Sequence, residues 1–94
     1  MEQFYIVRAA EAGVFFGKVE SRTDREITMT DVRKIFYWEG ACAVEELAVH
    51  GTVSPNKCKL TVIVPRMIIA NPIQIIPCTD RATDVLSRIR VWKS

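Results

Sequence analysis

A β-strand points successive side chains to opposite faces of its sheet, so three consecutive aromatic residues cannot all enter one core. The run Ile35-Phe36-Tyr37-Trp38-Glu39-Gly40-Ala41 sets that problem, and a helix-like segment follows it at once. At least one of Phe36, Tyr37 and Trp38 needs a second packed layer, a subunit interface or a ligand. With 94 residues the chain makes one domain, 1–94, and a domain this small has a thin stability margin. Association with further copies of itself is a common remedy, so a homo-oligomer is expected.

Alternation extends on both sides of this run. Phe4 to Ala10 reads as a strand with Tyr5 and Val7 on one face and Phe4 and Ile6 on the other. After a turn at Glu11-Ala12-Gly13, Val14 to Ser21 is a second strand, in which Gly13 and Gly17 mark a bulge or strong curvature. Glu26 to Thr30 alternates again, and Asp31 is expected to break or bend the chain before Val32 to Trp38. In that last segment Val32, Lys34, Phe36 and Trp38 share one side, and Arg33, Ile35 and Tyr37 take the other. Short antiparallel strands in this order suggest a meander that curls on itself.

The period then changes. Val44, Leu47 and Ala48 fall at helical spacing within Ala41–His50, and Gly51 is a natural left-handed stop. Lys59 to Val64 reads as a strand, whereas Met67–Ala70 and Ile73–Ile76 are short edge strands or bends punctuated by Pro65, Pro72 and Pro77. Thr79 is a good N-cap for a helix in which Ala82, Val85, Leu86 and Ile89 recur at i, i+3, i+4 and i+7. The predicted fold is α+β: a curled antiparallel sheet or small, partly open β-barrel, with a helix near Ala41–His50 and a C-terminal helix near Asp80–Ile89.

Composition weighs against several classes of function. A net charge of +2 is too small to argue for a nucleic-acid binder by charge alone. Cys42, Cys58 and Cys78 are odd in number and widely spaced, which fits free, mostly buried thiols in a reducing compartment better than disulfides or a zinc site. The start Met1-Glu2-Gln3-Phe4 lacks the features of a signal peptide, and the apolar stretch Leu60–Ile76 is interrupted by Pro65, Arg66, Asn71 and Pro72, so no membrane association is expected.

No catalytic constellation stands out. His50 is the single histidine and has no second metal ligand or triad partner of its kind; before a glycine stop it reads as a capping cation. Cys42 lies in the small-residue run Gly40–Ala43 and reads as a packing residue. Glu45 and Glu46 point about 100° apart on a helix and cannot converge on one substrate. Asp80 and Asp84 share a face with Arg81 and Arg88 nearby, which is surface electrostatics. Gly13-Val14-Phe15-Phe16-Gly17 lacks the lysine of a phosphate loop. The expectation is therefore a protein that is not an enzyme and needs no metal or cofactor.

What remains is a set of aromatic and guanidinium groups: Phe36, Tyr37, Trp38, Arg33, Arg88, Arg90 and Trp92. Aromatic faces stack on bases and arginines pair with phosphates, so these are the candidate ligand-binding residues. The same residue types are enriched in protein interfaces, and a core or interface role competes for each of them.

The segments Tyr5-Ile6-Val7-Arg8, Ala12-Gly13-Val14-Phe15-Phe16-Gly17, Asp31-Val32-Arg33-Lys34-Ile35, Tyr37-Trp38-Glu39-Gly40-Ala41 and Ile75-Ile76-Pro77-Cys78-Thr79 together carry a resemblance. Over nearly its whole length the chain resembles a family of small bacteriophage and prophage proteins of uncharacterised function. The YWxGA and IIPCT pieces are its most specific motifs. A second likeness, of architecture only, is to Sm-like RNA-binding barrels, whose bent hairpin is echoed by Gly13, Gly17, Val19 and Asp24; the Arg-Gly element of their second signature is missing from Lys59–Ile76. The resemblance implies a viral accessory protein acting in the host bacterial cytoplasm, by host takeover or anti-defence. The expected activity is sequestration of a small nucleotide signal by a homo-oligomer. RNA, or a host defence protein inhibited directly, are the alternative partners.

Overall fold

A computed structural model describes residues 2–93. Three strands lead: β1 (Tyr5–Ala9), β2 (Gly13–Arg22) and β3 (Glu26–Tyr37). Helix α1 (Val44–His50) and a single 3-10 turn at Pro55–Lys57 follow, and then strands β4 (Lys59–Leu60), β5 (Val64–Ala70) and β6 (Pro72–Pro77). Helix α2 (Asp80–Ser87) and a short tail complete the chain. All strand pairs are antiparallel, in the order β4-β3-β2-β1-β6, with β5 also on β3. The protein is thus α+β, a curled six-stranded sheet with two helices, one of them C-terminal.

The curl comes from β5 and β6, which are joined through Asn71 alone yet pair with strands on opposite sides of the meander. Asn71 adopts φ 53, donates its N–H to the Arg25 carbonyl and accepts from the Ala10 N–H, so it fixes the bend at both neighbours. No ladder runs between β5 and β6, and the sheet is not a closed ring.

Both faces of the sheet are buried, each by its own cluster. On the helix side Ile6, Val14, Phe16 and Ile35 meet Leu47 and Ala48 of α1 and Ala82 and Leu86 of α2. Inside the curl Val7, Phe15, Ile27, Met29, Val32 and Ile69 form the second cluster. Tyr5 and Val7 on one side of β1, and Phe4 and Ile6 on the other, fall as alternation predicts. The cover for both faces of β3 therefore comes from the chain itself.

Two strands predicted on either side of Asp31 are one. β3 runs through Asp31, which adopts φ 45. The β2–β3 register shifts there because Gly17 stands opposite two residues, Asp31 and Val32. That extra residue switches the alternation, so Ile27, Met29 and Val32 reach the same cluster despite their odd–even spacing. The same bulge explains Gly17, because a Cβ there would lie 2.8 Å from the Val32 Cα. Curvature at this glycine is what the sequence led us to expect.

Other boundaries moved. α1 begins at Val44 rather than Ala41, after Gly40 turns at φ 82 and Ala43 stays extended. α2 ends at Ser87, with Ile89 still buried beyond it. The predicted strand Lys59–Val64 is split: β4 stops at Leu60, where the Thr61 hydroxyl accepts from the Lys34 N–H and takes the place of a backbone partner. Cys42 is exposed rather than packed, whereas Cys58 and Cys78 are buried as expected. Among the described residues no helix is long and apolar enough to cross a membrane.

Candidate functional site

The aromatic run is divided by a second irregularity. The β3–β4 register shifts between Ile35 and Tyr37, so Phe36 is the unpaired residue. Phe36 is 46% exposed and Tyr37 44% exposed, while Trp38 turns onto the helix-side core and donates its indole N–H to the Ala41 carbonyl at 3.3 Å. Tyr37 is held outside by its hydroxyl, which donates to the Glu39 carboxylate at 2.7 Å. That carboxylate favours the protonated phenol and raises the Tyr37 pKa.

Arg33 takes the opposite place from a surface arginine. It is 3% exposed, donating from Nε to the Thr61 carbonyl at 2.9 Å and from Nη1 to the Leu86 carbonyl at 3.4 Å. Burial lowers its pKa from the ordinary value. Arg33 thereby ties the exit of β4 to the last turn of α2.

Arg88, Arg90 and Trp92 do come together. With Asp84, Val85, Ile89 and Lys93, and with Pro55, Asn56 and Cys58 from the 3-10 turn and its exit, they line an open cleft of about 760 Å³. One wall is the end of α2. The other is the tail, hung on β4 by a parallel bridge between Leu60 and Val91 and by the Trp92 N–H donating to the Leu60 carbonyl at 2.9 Å. Ile89 anchors the intervening turn in the core.

The charge in this cleft is uneven. Arg88 is partnered by Asp84, Nε to Oδ1 at 3.0 Å, an exposed i, i+4 pair of small energetic weight. Arg90 and Lys93 form no ion pair among the described residues. Trp92 is 47% exposed, and the Lys59 ammonium lies 4.5 Å from its ring centroid and 5.3 Å from that of Tyr37. Lys59 itself is not among the residues that line the cleft, whereas Trp92 is. At exposed sites such cation–π contacts contribute about 0.5–1 kcal/mol each, adding to the backbone bond that already holds Trp92 on β4.

Of the seven candidate residues, three line the cleft, Tyr37 joins it indirectly through Lys59, Arg33 lies buried behind, and Phe36 and Trp38 stand apart. Lys59 and Lys93 were missed, whereas Asp84 pairs with Arg88 on the surface as the sequence suggested. A signal for Lys59 was present, since a strand opposite Tyr37 would bring a lysine across from it, and the register pairs the two. His50 sits exposed in the last turn of α1. Among the described residues no group of three His, Cys, Asp or Glu side chains is placed to hold a metal ion.

Residues 2–86 match the family described as Domain of unknown function (DUF6948), and the chain belongs to it. The matched segment ends at Leu86, so it contains Arg33 and Lys59 but not Arg88, Arg90 or Trp92. No curated protein and no solved structure matches.

Proposed function

From membership of that family, which names no activity, we propose that this protein is a non-enzymatic binding module that takes a small nucleotide in the cleft at the end of α2. The observation that carries the reading is the meeting of Arg88, Arg90, Lys93 and the half-exposed Trp92 around one open cleft. Guanidinium and ammonium groups supply phosphate contacts, and the indole supplies a stacking platform for a base. Lys59, 4.5 Å from the Trp92 ring centroid, adds positive charge beside the platform.

In the wider proposal the protein is a phage-type accessory factor of host takeover or anti-defence. It works in the bacterial cytoplasm as a homo-oligomer that sequesters a nucleotide signal. Exposed Phe36, Tyr37, Val62 and Ile63 favour the self-association part, because apolar side chains of this size at the surface are typical of interface positions. They equally suit an inhibitor that binds a host protein directly, and sedimentation of the purified protein separates the two.

Titration calorimetry against cyclic oligonucleotides, ADP-ribose derivatives and mononucleotides tests the binding reading. Saturable heat with at least one of them is expected, weakened about tenfold or more by Arg90→Ala or Trp92→Ala. No response across the whole panel, with no nucleotide co-purifying, refutes it. A steep loss of affinity for single-stranded RNA with salt, without mononucleotide binding, would point instead to an RNA-binding module.

A further inference from the structure

Arg33 is the one arginine of the chain that is buried, and no described carboxylate forms an ion pair with it. A guanidinium taken out of water without a counter-charge is costly, and two backbone carbonyls offset only part of that cost. Its position gives the charge a use. The Leu86 carbonyl that accepts from Nη1 belongs to the last turn of α2, whose neighbours Val85 and Ile89 line the cleft. The Thr61 carbonyl that accepts from Nε follows Leu60, on which Val91 and Trp92 hang. Arg33 is thus bonded to a carbonyl next in sequence to a residue of each wall's support.

Resting on the nucleotide reading above, we infer that Arg33 is the buried half of the anion site: its uncompensated charge acts through the floor of the cleft and selects ligands by their phosphate charge. The missing counter-ion is then the ligand itself. Two unit charges on the order of 10 Å apart across a medium of effective dielectric about 20 interact strongly enough to change affinity roughly tenfold per unit ligand charge. Burial of Arg33 makes this contribution less sensitive to salt than those of Arg90 and Lys93 at the surface.

A charge-selecting residue and a merely structural one differ in what they move. AMP, ADP and ATP are titrated into the wild type, Arg33→Met and Arg33→Lys, with thermal melts confirming that each variant is folded. The wild type is expected to bind more tightly with each added phosphate. Arg33→Met should flatten that progression about tenfold per phosphate while weakening AMP least, and Arg33→Lys should keep it. If Arg33→Met does not fold, Arg33→Gln replaces it as the neutral variant. Equal weakening of all three ligands, or loss of the progression in Arg33→Lys, overturns the inference while leaving nucleotide binding intact. Failure of the wild type to bind any of the three overturns the inference, and the nucleotide reading falls with it only when the wider panel is silent as well.

Discussion

Gly17→Ala tests the bulge that turns the meander into a curl. The residue is buried at the point where β2 and β3 change register, and its backbone is not in the left-handed region, so alanine is conformationally allowed there. The added Cβ would nevertheless lie 2.8 Å from the Val32 Cα, 3.0 Å from the Thr30 carbonyl oxygen and 3.0 Å from the Val32 Cβ. These are backbone or Cβ atoms, which no rotamer change can move. Overpacking of this kind costs about 1–3 kcal/mol. Losing the flexibility of glycine in the unfolded chain returns about 0.4–1 kcal/mol. The net destabilisation is then about 1–2 kcal/mol, and at about 4–8 °C per kcal/mol for a domain of this size Tm should fall by about 5–15 °C. Thermal melts followed by far-ultraviolet circular dichroism, with urea denaturation as a check, measure it. A variant as stable as the wild type would show that Gly17 and the Asp31–Val32 bulge are not in steric contact, and the account of β3 crossing faces would fall with it.

Other perturbations probe the helices and thiols. Thr79→Ala removes both a cap to the Ala82 N–H and a 2.6 Å bond to the Val49 carbonyl, and should cost about 1–2 kcal/mol in urea denaturation, since it loosens α2 and its link to α1 together. Cys42 should be the thiol that maleimide labels in the native protein, because it is exposed, whereas the Cys78 pKa is pushed up to about 12 by burial. The Glu46 carboxylate, which accepts from the Cys42 backbone N–H at 3.3 Å, favours the protonated thiol beside it and raises the Cys42 pKa, so Glu46→Gln should speed labelling at pH 8 by enlarging the thiolate fraction; an unchanged rate would contradict that proximity.

The elements themselves were legible along the chain. Alternation in β1 and β2, the helical spacing of Val44, Leu47 and Ala48, Gly51 as a stop and Thr79 as a cap all appear where local pattern placed them. These features are decided within a few residues, by backbone sterics and by the period of the side chains. The α+β class followed from their order.

Register is different, because it depends on which residue of a distant strand stands opposite. The bulges at Asp31–Val32 and at Phe36 reverse the side-chain alternation, and no local period announces them. They explain how Val32 joins Met29 inside the curl and how Trp38 reaches the helix-side core while Phe36 is left outside. Arg33 reads on paper like any surface arginine; what buries it is the docking of the last turn of α2 and of Thr61 against β3, residues far along the chain. The cleft arises in the same way. Trp92 and Arg90 were recognisable as binding residue types from the sequence, but the tail forms a wall only because Leu60 pairs with Val91. Local chemistry named the groups, and long-range pairing decided which of them share a site.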